Sequence, residues 1–582
     1  MRKSNYDKRP TTTVNGPSWN GWKEIVNELS QTKQPLAVEC YQGVFVDEVI
    51  NALCSLGIAV TDTRDCFKSE ADIRNMTDSW MTDDRLFGRR MGHVKIEDFL
   101  ATDSLSPVTA DRQTAVVGPA AALLATNACN RNEAPKPLIV YADMPRWEIQ
   151  QRQRRHEVSA LGIDNHDEAP SKQYKRGYFL DWIVCDELKK RFLRQADYWL
   201  DTVVPQQPKM TDGATMLAAL DKMSRQPFRV VPFFDPAPWG GQWMKEVCDL
   251  DRSKENFGWC FDCVPEENSI LITAVDTTKG NQETTMEFPA NDLVYYRTRQ
   301  LLGGRVEARF GQDFPIRFDF LDTMGGGNLS LQVHPTTQYI RETFGIFYTQ
   351  DESYYLLDAE EGATVYLGLK TGVNPEEMIQ ALNQSQATSE PFDAERYVNR
   401  WPAKKHDHFL IPAGTIHCSG AGAMVLEISA TPNIFTFKLY DWGRLGLDGL
   451  PRPINIGHGQ HVIQWERQTD WVHRNLVNPI EPIAEGDGWR EERTGLHENE
   501  FIETRRHWFT KPVHHHTLGG VNVLNVIQGD ELLVESPTGA FSPYVVHYAE
   551  TFIVPASVGE YTIRPYGSAE GTECGTIKAS VR

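Results

Sequence analysis

The 582-residue chain contains no run approaching 18 consecutive apolar residues, so the sequence offers no membrane-spanning helix. Its opening stretch, MRKSNYDKRPTTTVNG, is basic and polar and has no apolar core, so no secretion signal is expected. Basic charge is in short supply. The 59 Lys and Arg face 79 Asp and Glu, for a formal net charge of -20. That balance excludes nucleic acid and anionic membrane as general partners, because both demand basic surface. A phosphorylated ligand would then need a local cationic pocket. The ten cysteines are scattered without disulfide-framework spacing, which fits a reducing, cytoplasmic setting. Cys260 and Cys263 alone have metal-knuckle spacing; lacking a second pair nearby, they read as two strand cysteines. No Gly-x-x-x-x-Gly-Lys-Ser/Thr sequence occurs, so no intact phosphate-cradling loop of that type is expected.

What the chain does contain is ordinary globular sequence, 40% hydrophobic and 24% charged, and long enough for two to four domains. Residues 1–34 read as a polar N-terminal segment. Over residues 35–226, apolar runs such as PLAVECYQG, TAVVGPAAALLATNA and KPLIVYADMP alternate with amphipathic helical stretches. This alternation predicts an α/β domain with a mainly parallel sheet. Arg146, Arg152, Arg154 and Arg155 cluster after one strand, and Lys175 and Arg176 follow. The texture is loosely similar to P-loop kinases, where such a segment closes on phosphate. Without the cradling loop, the expectation is a solvated basic helix on a degenerate, kinase-like domain of uncertain role.

From residue 227 the texture changes to short strands broken by turns such as PEENS, TTKGNQE, DAEEG and PAGT, the pattern of a sandwich or barrel. A helical insertion is predicted at 374–386, with Asn374 as its N-cap and Glu377 three residues on. Residues 227–480 form one predicted β domain, and 481–582 repeat the pattern as a second. The triple His514-His515-His516 reads as a strand-edge loop.

The chemistry concentrates in the first β domain. In NLSLQVHP, Gln332 and His334 stand two apart on a strand and therefore share a face. Glu352 opens the next strand, and Pro412, Gly414 and His417 form a Pro-x-Gly-x-x-His turn that aims an imidazole back toward the barrel mouth. Two histidines, a carboxylate and an amide oxygen make a four-ligand set suited to a divalent ion such as zinc. With one carboxylate, the bound dication keeps net positive charge and remains a Lewis acid.

These segments, with FPIRFDFLDT, DESYYLLDAEEGATVYLG, MVLEIS and FKLYDWGRLGLDGLPRPINI, follow the order found in type I phosphomannose isomerases. The chain resembles that family over about residues 227–582. The resemblance implies cupin (double-stranded β-helix, jelly-roll) domains after the α/β domain. It also implies one zinc ion held by Gln332, His334, Glu352 and His417. Arg444 would be catalytic and would bind substrate. Apart from the resemblance, Lys438 in FTFKLYD is read as a candidate substrate-binding cation, with a strand-end surface lysine as the alternative. The implied activity is interconversion of mannose 6-phosphate and fructose 6-phosphate, or of a related sugar. The chain departs from the family in two places: Gln350 and Asp319 stand where lysines are usual. The proton carrier is left open among Glu427, Asp441, His406, His408 and metal-bound water, with His406 and His408 read as solvated strand residues. Two rival readings stay open as well, a non-catalytic sugar-phosphate sensor and a non-haem iron oxygenase. Oligomeric state is not indicated.

Overall fold

The structure is a computed structural model that describes residues 4–55, 57–101, 113–388, 390–432, 434–446, 452, 454–495 and 497–582. The chain divides into two compact units. One combines Thr11–Ser224 with Glu266–Arg297; the other combines residues 4–10, Arg225–Pro265 and Thr298–Arg582.

The first unit is built on strands β1 (Leu36–Cys40), β2 (Ala59–Asp62), β3 (Thr114–Gly118), β4 (Leu138–Asp143) and β5 (Tyr198–Asp201). They lie parallel in the order β5-β4-β1-β3-β2. β1 is buried along its whole length and β4 along nearly all of it, as expected of parallel strands covered on both faces. β6 (Lys209–Asp212) adds antiparallel beside β5, and Ser18–Asn20 continues the edge. The chain leaves β1 toward β2 on one side and later reaches β4 on the other. Strand order therefore reverses at β1, where the carboxyl-end loops of such sheets frame a crevice. There Gly43, at φ +93°, turns the chain into helix α1 (Val46–Cys54).

Three expectations are corrected in this unit. Residues 1–34 are not merely a polar segment, since Thr11–Asn15 is a strand and Gly21–Leu29 a helix. Glu266–Arg297, expected inside the 227–480 domain, belongs to the α/β unit. The cause is strand pairing: Ser269–Asp276 runs parallel to Thr11–Asn15 and forms a hairpin with Gln282–Pro289. The basic cluster is only half solvated: Arg154 and Arg155 are exposed, as expected, but the others are not. Helix α2 (Arg146–Arg154) buries Arg152 fully, and its guanidinium donates to the carbonyls of Gly43 and Thr202, both at 2.8 Å. Lys175 and Arg176 are buried too, and Arg146 pairs with Asp186 at 2.7 Å.

The second unit is antiparallel throughout its sheets. Strands β7 (Ile316–Asp322), β8 (Leu331–Val333), β9 (Glu352–Ala359), β10 (His408–Ile411), β11 (His417–Ser419), β12 (Ala423–Ala430) and β13 (Phe437–Tyr440) carry the site. One six-stranded sheet contains β10-β9-β12-β7 in that order, and a five-stranded sheet contains β11-β8-β13. The helical insertion is Pro375–Thr388, and the Asn374 side chain accepts from the Glu377 amide at 3.0 Å, as its sequence pattern suggests. Residues 481–582 form a further pair of sheets around Phe509, Leu524, Val534, Phe552 and Ile563. They were expected as a separate domain but share one compact unit with 298–480. Arg506 joins the two by donating to the His406 carbonyl at 2.9 Å. Cys260 and Cys263 are buried on the strand Trp259–Cys263, where burial pushes both thiols well up. Among the described residues, no helix is long and apolar enough to cross a membrane.

Candidate metal centre

Cross-strand register assembles the centre. Gln332 on β8 pairs directly with His417 on β11, and directly paired side chains share a face. The turn before His417 is pinned by Gly414, whose amide donates to the His334 carbonyl at 2.9 Å. Gly414 sits at φ +87°, and a Cβ there would come within 2.7 Å of the Val462 carbonyl oxygen, so the turn requires glycine. Glu352 enters from the other sheet, at the start of β9.

The three side chains converge in full burial. His334 Nε2 lies 3.1 Å from one Glu352 oxygen and His417 Nε2 lies 2.7 Å from the other. One ligand atom from each lies within 4.8 Å of the others, and His334, Glu352 and His417 are the cluster of this kind found among the described residues. Each imidazole gives its Nδ1 to a backbone carbonyl, His334 to Phe435 and His417 to Thr415, both at 2.9 Å. With Nδ1 donating, each neutral ring presents the Nε2 lone pair to the carboxylate. Such outer hydrogen bonds fix the tautomer of metal-ligating histidines. Neutral rings would then set lone pairs against lone pairs in a dry site, so the site calls for a positive charge between them, supplied either by a metal ion or by a proton on an imidazole. The Gln332 amide lies 3.3 Å from His417 Nε2, and half a turn about its last bond presents Oε1 there instead. Two nitrogens and one or two oxygens suit zinc. Burial pushes Glu352 up, but the flanking imidazoles outweigh it and hold the carboxylate well below its usual range. Burial likewise pulls His334 down, and Glu352 more than restores it.

The other candidates separate by strand parity. Lys438 lies opposite Gln332, so it stands on the ligand face of β13, partly buried. Arg444, in the turn after β13, donates to the Asn328 carbonyl at 2.6 Å and to Asp441 at 2.5 Å. Asp441 also holds Arg452 at 2.8 Å. Residues 447–451 and 453 of the DWGRLGLDGLPRPINI segment lie outside the described residues. Glu427 on β12 pairs with Tyr354 and Asp319 and so shares the face of Glu352. His408 does not. It pairs with Tyr355, which is three residues from Glu352 and so on the opposite face. His406 bonds the Tyr355 hydroxyl at 3.0 Å, away from the centre. Neither is a solvated histidine. Burial pulls His408 down to about 3 and His406 to about 4, so both are neutral at physiological pH. Of the triple histidine, His515 alone is buried, and its neighbours are exposed on the other face of the strand.

Arg317 was missed by the sequence reading. It lies two residues before Asp319 on the same buried face, bonded to Asp319 and to Glu427, the latter at 3.1 Å. The i, i+2 spacing in IRFDF carried that signal. Gln350 links this group to the centre, donating to Glu352 at 3.1 Å and to Glu427 at 3.4 Å. Burial lifts Asp319 to about 6 despite Arg317. Burial and the Glu352 charge push Glu427 well up.

Residues 21–225 match a family described as Domain of unknown function (DUF8485). The mannose-6-phosphate isomerase of Streptococcus mutans serotype c is 28% identical over 227 residues, which is 39% of this chain and 64% of that protein. Mannose-6-phosphate isomerase ManA of Bacillus subtilis is 24% identical over 262 residues, 44% of this chain and 75% of that protein. Among solved structures, the mannose 6-phosphate isomerase from Bacillus subtilis aligns with a TM-score of 0.48 and 20% identity, covering 61% of this chain and 99% of that one. On sequence, this chain is thus similar to mannose-6-phosphate isomerases over part of its length, and its α/β unit matches a family whose description assigns no function.

Proposed function

We propose that the β unit is a zinc-dependent aldose–ketose isomerase of the mannose-6-phosphate isomerase type. Its substrate would be mannose 6-phosphate, fructose 6-phosphate or a related sugar. The observation that carries this reading is the convergence of His334, Glu352 and His417 with both Nδ1 atoms already engaged. It occurs in a chain similar to those isomerases. His334, Glu352, His417 and Gln332 would hold the ion, which when bound supplies a Lewis acid for a substrate oxygen. Isomerisation moves a proton between adjacent carbons and leaves charge on an oxygen. Arg444, a permanently charged fork, suits that oxygen or a phosphate, and Lys438 adds a second cation on the ligand face. Gln350 and Glu427 act behind the centre by fixing the orientation of Glu352.

The test is metal analysis of the intact protein together with an isomerase assay across mannose 6-phosphate, fructose 6-phosphate and the free sugars. About one divalent ion per chain and turnover of at least one sugar are expected, both lost in His334→Ala/His417→Ala. Full metal occupancy in that double variant would overturn the centre. Asp319 and Gln350, at positions where the resemblance implies lysines, favour one second reading, a sugar-phosphate sensor. Binding without turnover by the metal-loaded protein would select it.

A further inference from the structure

The α/β unit contains a cavity of about 820 Å³, within the range of small-molecule sites. Its walls are the loop after β1, residues following β2 and β3, and the segment 157–164. It therefore lies at the carboxyl ends of parallel strands, beside the reversal of strand order, where ligands of such sheets bind. We propose that this cavity binds an uncharged, polyhydroxylated small molecule, and that it does not take a nucleoside triphosphate.

The loop after β1 is built against an anion. In a phosphate cradle, the backbone amides and a lysine of that loop face the ligand. Here the loop is Tyr41-Gln42-Gly43-Val44-Phe45, and the carbonyl of Gly43 is turned toward the buried guanidinium of Arg152. The positive end of α1 is answered by its own first-turn Asp47 and Glu48, both of which line the cavity. Glu157 and Asp164 bring two further carboxylates to the wall. Two bases line the same wall, and both are committed. Arg64 bonds Asp62 at 2.9 Å and also Asp47, and Lys68 donates to the Asp98 carbonyl at 2.7 Å. The acids also have partners, Arg155 on Glu157, Arg64 on Asp47, the Trp22 indole on Glu48, and His166 with Ser159 on Asp164, each leaving further acceptor positions open.

A divalent cation is the obvious partner for carboxylates, but among the described residues these four do not converge to ligand spacing. Spread carboxylates suit hydroxyl donors distributed around a ring, since each ionised carboxylate offers about four acceptor positions. Ser159, Asn51 and Gln206 supply neutral polar groups in the same wall. Tyr41, Phe45 and Phe67 supply apolar faces for the carbon skeleton.

Isothermal titration calorimetry on the full-length protein tests this with D-mannose, D-fructose, adenosine and uridine against magnesium ATP. The free-sugar and nucleoside arms separate the two sources of the same chemistry. Saturable binding of at least one neutral probe is expected, weakened at least tenfold by Glu157→Gln and by Ser159→Ala. Both side chains are partly exposed or at the cavity edge, and unchanged melting temperatures would show that the variants fold. ATP binding that the same variants weaken would overturn the proposal. So would the absence of heat from all four neutral probes, or neutral binding that neither variant changes.

Discussion

Replacing Arg317 by methionine removes a positive charge that the structure places against both Asp319 and Glu427. The side chains of all three are nearly inaccessible, at 4%, 3% and 6% exposure, so water cannot replace the guanidinium. At 3.1 Å and an effective dielectric near 20, Arg317 would attract an ionised Glu427 by about 5 kcal/mol before desolvation, an upper bound because burial and Glu352 push the Glu427 carboxyl toward its neutral form. Breaking a buried pair by removing one partner costs about 3–5 kcal/mol, because the remaining charge is stranded. At about 2.1 cal/mol/K of unfolding entropy per residue, a unit of this size shifts by about 1.4 °C per kcal/mol, so a loss of at least about 4 °C is expected. The loss also has a pH signature. Asp319 already sits at about 6, above its unfolded value, and without Arg317 it rises further. A carboxyl whose folded value is raised imposes no penalty below its unfolded value and the full penalty above its folded one. Differential scanning calorimetry should therefore show Arg317→Met more destabilised at pH 8 than at pH 5. Adding Asp319→Leu and Glu427→Leu should recover most of the loss, since a packed apolar replacement no longer strands a charge. A shift under about 2 °C at pH 8, or one independent of pH, would refute the reasoning.

The remaining predictions can be checked with standard variants. Arg444→Lys should keep the metal content and lower kcat/KM by at least about tenfold, because a lysine cannot bond Asn328 and Asp441 together; unchanged kinetics would remove Arg444 from the site. Gly414→Ala should lower the melting temperature of the β unit and weaken metal retention during dialysis against chelator, because the φ of +87° and the Val462 carbonyl both resist a Cβ. Lys189→Met should destabilise the α/β unit by about 3–5 kcal/mol, since Lys189 lies fully buried between Asp143 at 2.8 Å and Asp292 at 3.0 Å; a neutral effect in calorimetry would show the pair to be solvated.

The residues that converge at the candidate centre were legible in the sequence because their signals are local. Gln332 and His334 need only period-two alternation, and the Pro412–His417 turn needs only the proline and glycine that shape it. The alternation of apolar runs and helical stretches likewise exposed the parallel strands. What stayed hidden depends on register between distant strands. His406 and His408 looked like neighbours of the chemistry, yet pairing with Tyr355 sends His408 to the far face. Arg317 looked like one more charged residue until pairing with Ser429 put it beside Glu427. Nor does local pattern reveal that Ser269–Asp276 pairs with a strand more than 250 residues upstream. Burial of Arg152, Lys175 and Arg176 was equally invisible, because basic helical stretches read as solvated until the carbonyls of Gly43 and Asp84 and the Thr77 hydroxyl that accept from them are known.

The division of the chain into interleaved rather than successive units limits how it can be made. The Asp7 amide is held by the Glu550 carboxylate, 543 residues away, and Thr11–Asn15 needs a strand that begins at Ser269. A nascent α/β unit that has reached Ser224 still lacks a strand partner and the Asp292 that completes the surroundings of Lys189. At about 5–20 residues per second it waits seconds on the ribosome, holding an unpaired edge that other chains can join. Truncation at residue 226 would make that wait permanent. A soluble α/β fragment should instead be sought by joining Thr11–Ser224 to Glu266–Arg297 through a short flexible linker.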